Sequence, residues 1–136
     1  MKRYMNTAVI YAVFAMIGGV FYREFTKFQG FTGETTLSVV HTHYFMLGTF
    51  FFLLLLLLER NFSFTEKKTK NTMLIYHTGL NLTCVMFVVR GVAQTLEMNL
   101  SKAMDAAISG IAGIAHILLG ISLVLLLLQI KKSIVK

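Results

Sequence analysis

Four histidines, His41, His43, His77 and His116, and one arginine, Arg90, fall inside long apolar stretches of this 136-residue chain. Ionisable groups are costly in a membrane, usually face the interior of a helical bundle, and mark functional sites by default. A neutral imidazole there can ligate a metal, relay a proton, or hydrogen-bond a neighbouring helix. For one histidine the hydrogen-bonding role is an equally good reading. For four with an arginine, ligand chemistry is the better one.

The neighbours of these residues narrow the chemistry. Ser109, Gly113, His116 and Gly120 follow i, i+4, i+7, i+11 and share one helix face. Small residues above and below an imidazole leave a flat recess such as a planar macrocycle needs, although the same spacing also serves close helix packing. Ser38, His41, Phe45 and Gly48 form a similar stripe, and His43 lies about 200° around the helix from His41. At ~1.5 Å per residue, His116 lies ~3 Å, His43 ~7 Å and His41 ~10 Å to the outer side of the midplane. His77 falls ~10 Å to the other side by the same measure. Depth therefore pairs His43 with His116, whereas the small-residue stripe pairs His41 with His116. Both pairings stay open.

Arg90 lies ~9 Å toward the outer surface, and no Asp or Glu occupies the middle of any stretch. Haem propionates would supply the missing anion through forked hydrogen bonds. Snorkelling to the interface beside Gln94, or a pair with Glu97, would serve as well. His77 shares a face with Asn81, Cys84 and Gly91, and Gly79, Thr83, Arg90 and Gln94 share another. A bond to a backbone carbonyl is the favoured role for His77, ahead of proton relay or a second cofactor.

A metal-only site asks for three or four converging ligands, often with carboxylate or thiolate. The depths scatter too widely for all four histidines, so copper or zinc would need His41, His43 and His116 to meet. Haem needs one or two axial histidines and apolar walls, which helical bundles supply. Haem b is the expected cofactor. Its candidate contacts are His41 or His43, His116, Arg90, Gly113 and Gly120, with His77 as a further metal ligand.

The elements that must position these groups follow from composition. Hydrophobic residues make up 56% of the chain, too many for a soluble domain this small to cover with polar surface. Four apolar stretches, at about 4–22, 37–58, 71–95 and 105–130, each approach the ~20 residues that cross a bilayer as a helix. Short connections make successive helices antiparallel. The expected architecture is an all-α, four-helix integral membrane bundle, with residues 1–136 as one domain.

The net charge of +7 does not point to nucleic acid, because the basic residues sit in short segments between the spans. Lys2, Arg3, Arg60, Lys67, Lys68, Lys70, Lys131, Lys132 and Lys136 fall on one side, and Arg23, Lys27 and Lys102 on the other. The positive-inside rule then places both termini in the cytoplasm. Lys2 and Arg3 before an apolar run also describe a signal peptide. Retention is the expectation, since no small-residue cleavage site follows. Glu34 and Asp105 are candidate first-turn acids for the second and fourth helices. The leucines at 53–58 read as lipid-facing, and Cys84, the only cysteine, has no partner for an intrachain disulfide.

The stretch VVHTHYFMLG resembles the histidine-bearing second helix of haem-copper oxidase and nitric oxide reductase catalytic subunits, and GIAGIAHILLGISLVLLL resembles a later ligand helix. The whole chain is similar to a family of small bacterial four-helix membrane proteins of unknown function related to them. The resemblance implies that His41 or His43, with His116, holds haem b, and that Arg90 contacts a propionate. The chain has far fewer helices than those enzymes and no copper site, so full oxygen or nitric oxide reduction is not expected. A haem carrier in the bacterial plasma membrane follows, for electron transfer, gas binding or haem handling. Its partners would be lipid, a quinone or redox protein, and further copies of itself. The competing expectation is a non-haem interaction subunit or small proton-coupled transporter.

Overall fold

Nothing in the apolar stretches interrupts a helix, because the chain has no proline and the flanking charged residues are themselves good helix formers. The computed structural model describes residues 1–134, so Lys136, counted above among the basic residues, lies outside it. All regular structure among the described residues is helical. Four long helices run α1 (Lys2–Phe28), α2 (Thr36–Phe62), α3 (Lys67–Thr95) and α4 (Lys102–Ile134), each long and apolar enough to cross a membrane. Three of them outrun the expected boundaries at both ends, and α3 outruns its own at the N-terminal end. Helix α1, for example, carries on through Arg23, Glu24 and Lys27 until the chain turns at Gly30, where φ is +63°. At 27 to 33 residues, the helices reach roughly 40–50 Å, longer than the ~30 Å of hydrocarbon they would cross.

The caps differ in part from expectation. Thr35, not Glu34, begins α2: its hydroxyl accepts from the Leu37 N–H and donates to the Gly91 carbonyl at 2.9 Å. Asp105 does lie in the first turn of α4. Glu66 and Thr69 form a capping box at the start of α3.

Helix α2 is not uniform. A 3₁₀ turn (Thr36–Val39) and one α turn (Val40–His43) lead into a π-helical segment, Tyr44–Phe50, before α geometry resumes at Phe51. The wider π turn loosens the carbonyl ladder, and the Leu47 carbonyl accepts the Tyr76 hydroxyl at 2.7 Å. One turn face is also pressed by α1: a Cβ on Gly48 would lie 2.6 Å from Tyr11 Cβ and Cγ. Aromatic side chains from both neighbours therefore meet α2 where it widens.

The helices alternate in direction. Tyr4 of α1 meets Phe52 and Phe64 near the C-terminal end of α2, while Gly18 meets Val40 near its start. Leu37 sits on Gly91, and Tyr44 bonds Asn81, so α2 and α3 run oppositely. Gly79 faces the Leu119 backbone and Thr72 bonds Gln129, which fixes α4 against α3. Helices α2 and α3 form the centre and α1 and α4 the flanks, with α4 touching α2 along Phe51–Phe62 and again at His43. Tyr76, Phe52, Leu55, Leu80 and Leu126 are fully buried in the core. Leu55 corrects the reading of 53–58 as a lipid-facing run: Leu54 and Leu57 are exposed, but helical periodicity turns Leu55 inward. Val9, Val13, Met16 and Ile17 of α1 and Ile114, Ile117, Ile121 and Val124 of α4 form exposed apolar rows.

Candidate functional site

His43 leaves α2 toward α4, and there its ring lies 6.4 Å from that of His116, centre to centre, at 85°. Phe87 of α3 touches both, at 4.8 Å from His43 and 5.4 Å from His116. Each imidazole is held by its own helix: His43 Nδ1 bonds the Val39 carbonyl and His116 Nδ1 the Ala112 carbonyl, both at 2.8 Å. A carbonyl only accepts, so each Nδ1 carries a proton, and in the neutral ring Nε2 is the nitrogen that keeps a lone pair. That is the tautomer a metal-ligating histidine needs. Two metal–nitrogen bonds of about 2.0 Å, plus the ring radii, give a centre spacing of about 6 Å, the separation found here.

The pair sits at the edge of the bundle. His43 is half-buried, while His116, Gly113 and Gly120 are exposed. A Cβ built on Gly113 or Gly120 would meet nothing within 4 Å. The small-residue stripe of α4 is therefore an open face beside the imidazole and not a helix-packing seam.

His41 belongs to another surface. It lies against Gly19 of α1, its Cβ 3.6 Å from where a Gly19 Cβ would stand, and its buried Nδ1 has no hydrogen-bond partner. Gly48 of the same stripe also faces α1. The structure thus brings His43, and not His41, to His116, because the two lie on opposite faces of α2.

His77 faces α1 as well. Its ring stacks on Phe52 at 5.0 Å and 13°, and its Nδ1 meets the Tyr11 hydroxyl at 2.6 Å. The Tyr11 oxygen accepts from the Asn81 amide at 3.1 Å, which leaves its own proton for Nδ1. Tyr44 donates to Asn81 Oδ1 at 3.1 Å and completes the network. The expected carbonyl partner for His77 is replaced by this hydroxyl. Asn81 was legible on the same helix face as His77, whereas Tyr11 and Tyr44 were legible only as polar residues within apolar spans.

Arg90 already has an anion. Its Nη1 lies 3.1 Å from Asp105 Oδ1, and its Nη2 donates to Ser109 Oγ at 2.7 Å. The carboxylate comes from the first turn of α4, beyond the span middles where none was found. Gln94 is engaged elsewhere, accepting from the Thr36 N–H at 2.8 Å, and the pair is not with Glu97. Among the described residues no three His, Cys, Asp or Glu side chains converge. His41, His43, His77 and His116 do not form one metal cluster, and His41 stays apart from the other two ligands that copper or zinc would require.

A family model described as Protein of unknown function (DUF2871) matches residues 1–133. No curated protein and no solved structure matches the chain.

Proposed function

The chain belongs to the DUF2871 family, and from that premise we propose that it is a membrane protein that binds haem b between His43 and His116. The observation that carries the reading is the approach of two imidazoles from different helices, each with Nδ1 tied back to a carbonyl and Nε2 without a partner among the described residues. Two side-chain ligands are too few for a bare metal ion, but a porphyrin brings four nitrogens of its own. The donor set fits that group, and Gly113 and Gly120 leave room for a flat ring against α4. Arg90 is satisfied by Asp105 and Ser109, so a propionate at this edge would share the guanidinium with them.

Haem iron held by two histidines would supply reversible one-electron transfer. The chain's own residues orient the ligands: the Val39 and Ala112 carbonyls fix both tautomers, and Phe87 fills the space beside the rings. The basic ends of α1–α4 put both termini in the bacterial cytoplasm in this reading. A quinone or redox protein as electron partner, and a second copy over the open α4 face, belong to the same proposal. So does the kinship with haem-copper oxidases.

Haem titration of the purified protein tests the ligand assignment. His43→Ala and His116→Ala should each abolish six-coordinate binding, whereas His41→Ala should bind as the wild type does. Loss of binding in His41→Ala, with His43→Ala unaffected, would refute it. The non-haem reading draws on a different observation, the His77–Tyr11–Asn81–Tyr44 network, which could serve packing or proton movement without any cofactor. It predicts that no histidine substitution changes haem uptake.

A further inference from the structure

On the α1 flank, between the N-terminal halves of α1 and α3, lies a cavity of about 460 Å³, within the range of small-ligand sites. Two cations, Arg3 and Lys70, line its mouth, and neither has a carboxylate within ion-pair distance among the described residues. The one acid in the lining, Glu59, is held by the Thr65 N–H at 3.0 Å. One turn along α3 from Lys70 the wall becomes apolar through Met73 and Leu74, joined by Phe52 of α2, and a turn further on His77 closes the inner end. Leu74 is 68% exposed, so the apolar side of the cavity opens laterally, where a bilayer would lie. Tyr11 occupies His77 Nδ1 and leaves the Nε2–H as a donor without a partner among the described residues.

A cavity that is cationic at a helix end, apolar beyond it and open to the side matches an amphiphile better than a soluble ion. Basic pockets between transmembrane helices on the cytoplasmic side hold anionic lipid head groups. We propose that this cavity binds one anionic phospholipid. Its phosphate lies on Arg3 and Lys70, an ester oxygen accepts a hydrogen bond from His77 Nε2–H, and its acyl chain leaves past Leu74. The site stands apart from the haem proposal and survives its failure.

Native mass spectrometry of the full chain in neutral detergent tests this, with phosphatidylglycerol, phosphatidylcholine and inorganic phosphate as probes. Phosphatidylglycerol should remain bound one to one and raise the melting temperature, while the other two probes do neither. Arg3→Gln with Lys70→Gln should weaken that binding roughly 30-fold, about fivefold for each basic residue near an anionic lipid. Both side chains are exposed, so the lipid-free fold does not depend on them. Lys27→Gln with Lys102→Gln, at the opposite helix ends, should change nothing. Equal retention of phosphatidylcholine, equal stabilisation by inorganic phosphate, or undiminished binding by the Arg3/Lys70 variant would overturn the proposal.

Discussion

A histidine offers a metal only the nitrogen that its other hydrogen bond leaves free, and at His43 and His116 the backbone makes that choice. At His77 the choice is made by a side chain, which makes Tyr11 the residue whose loss tells most. Tyr11→Phe keeps the stacked ring but strips a partner from His77 Nδ1 and from the Asn81 amide. Leaving buried polar groups unpaired costs roughly 1–3 kcal/mol, so the variant should unfold earlier in a denaturant titration. A loss under about 0.5 kcal/mol would mean that the network contributes little. Residue count and the small-residue stripe pointed to different partners for His116, and only the packing of α2 against α4 brings His43 to it. The partner of Arg90 was hidden too, because Asp105 lies at a helix start and a search of span centres passes over it.

At the scale of the helix, glycines within the spans have opposite roles. A Cβ on Gly79 would lie 2.7 Å from the Leu119 backbone nitrogen, and one on Gly91 would lie 2.6 Å from that of Leu37. Backbone cannot move aside as a flexible side chain can, so Gly79→Ala should destabilise by about 1–3 kcal/mol through overpacking. Gly113→Ala meets open space and should hold or raise the melting temperature, since alanine favours a helix. Equal losses in the two variants would contradict the placement of α4. Helix positions, number and alternating direction could all be read from apolar length and short connections. Which face a glycine stripe presents could not, because spacing defines a face but not what lies opposite it. The π segment was equally hidden, since the contacts made there, Tyr76 on the Leu47 carbonyl and Tyr11 against Gly48, come from other helices.

For the whole molecule, the antiparallel order gathers the N-terminal ends of α1 and α3 and the C-terminal ends of α2 and α4 at one pole, where the basic residues concentrate. That pole should face the cytoplasm. In intact cells a membrane-impermeant maleimide should label Gln29→Cys and spare Asn61→Cys, with Cys84 shielded by its burial; the reverse pattern would invert the topology. The fold places the histidine pair on one flank and the lipid-type cavity on the other, so cofactor and lipid would load independently. Haem ligation by that pair would make the molecule a one-electron carrier. The most direct test of that ligation is the absorption spectrum of protein purified from membranes, oxidised and then reduced. A Soret band that shifts and sharpens on reduction, without response to carbon monoxide, is the predicted result for iron with both axial positions filled. A colourless protein that takes up no added haem would contradict it.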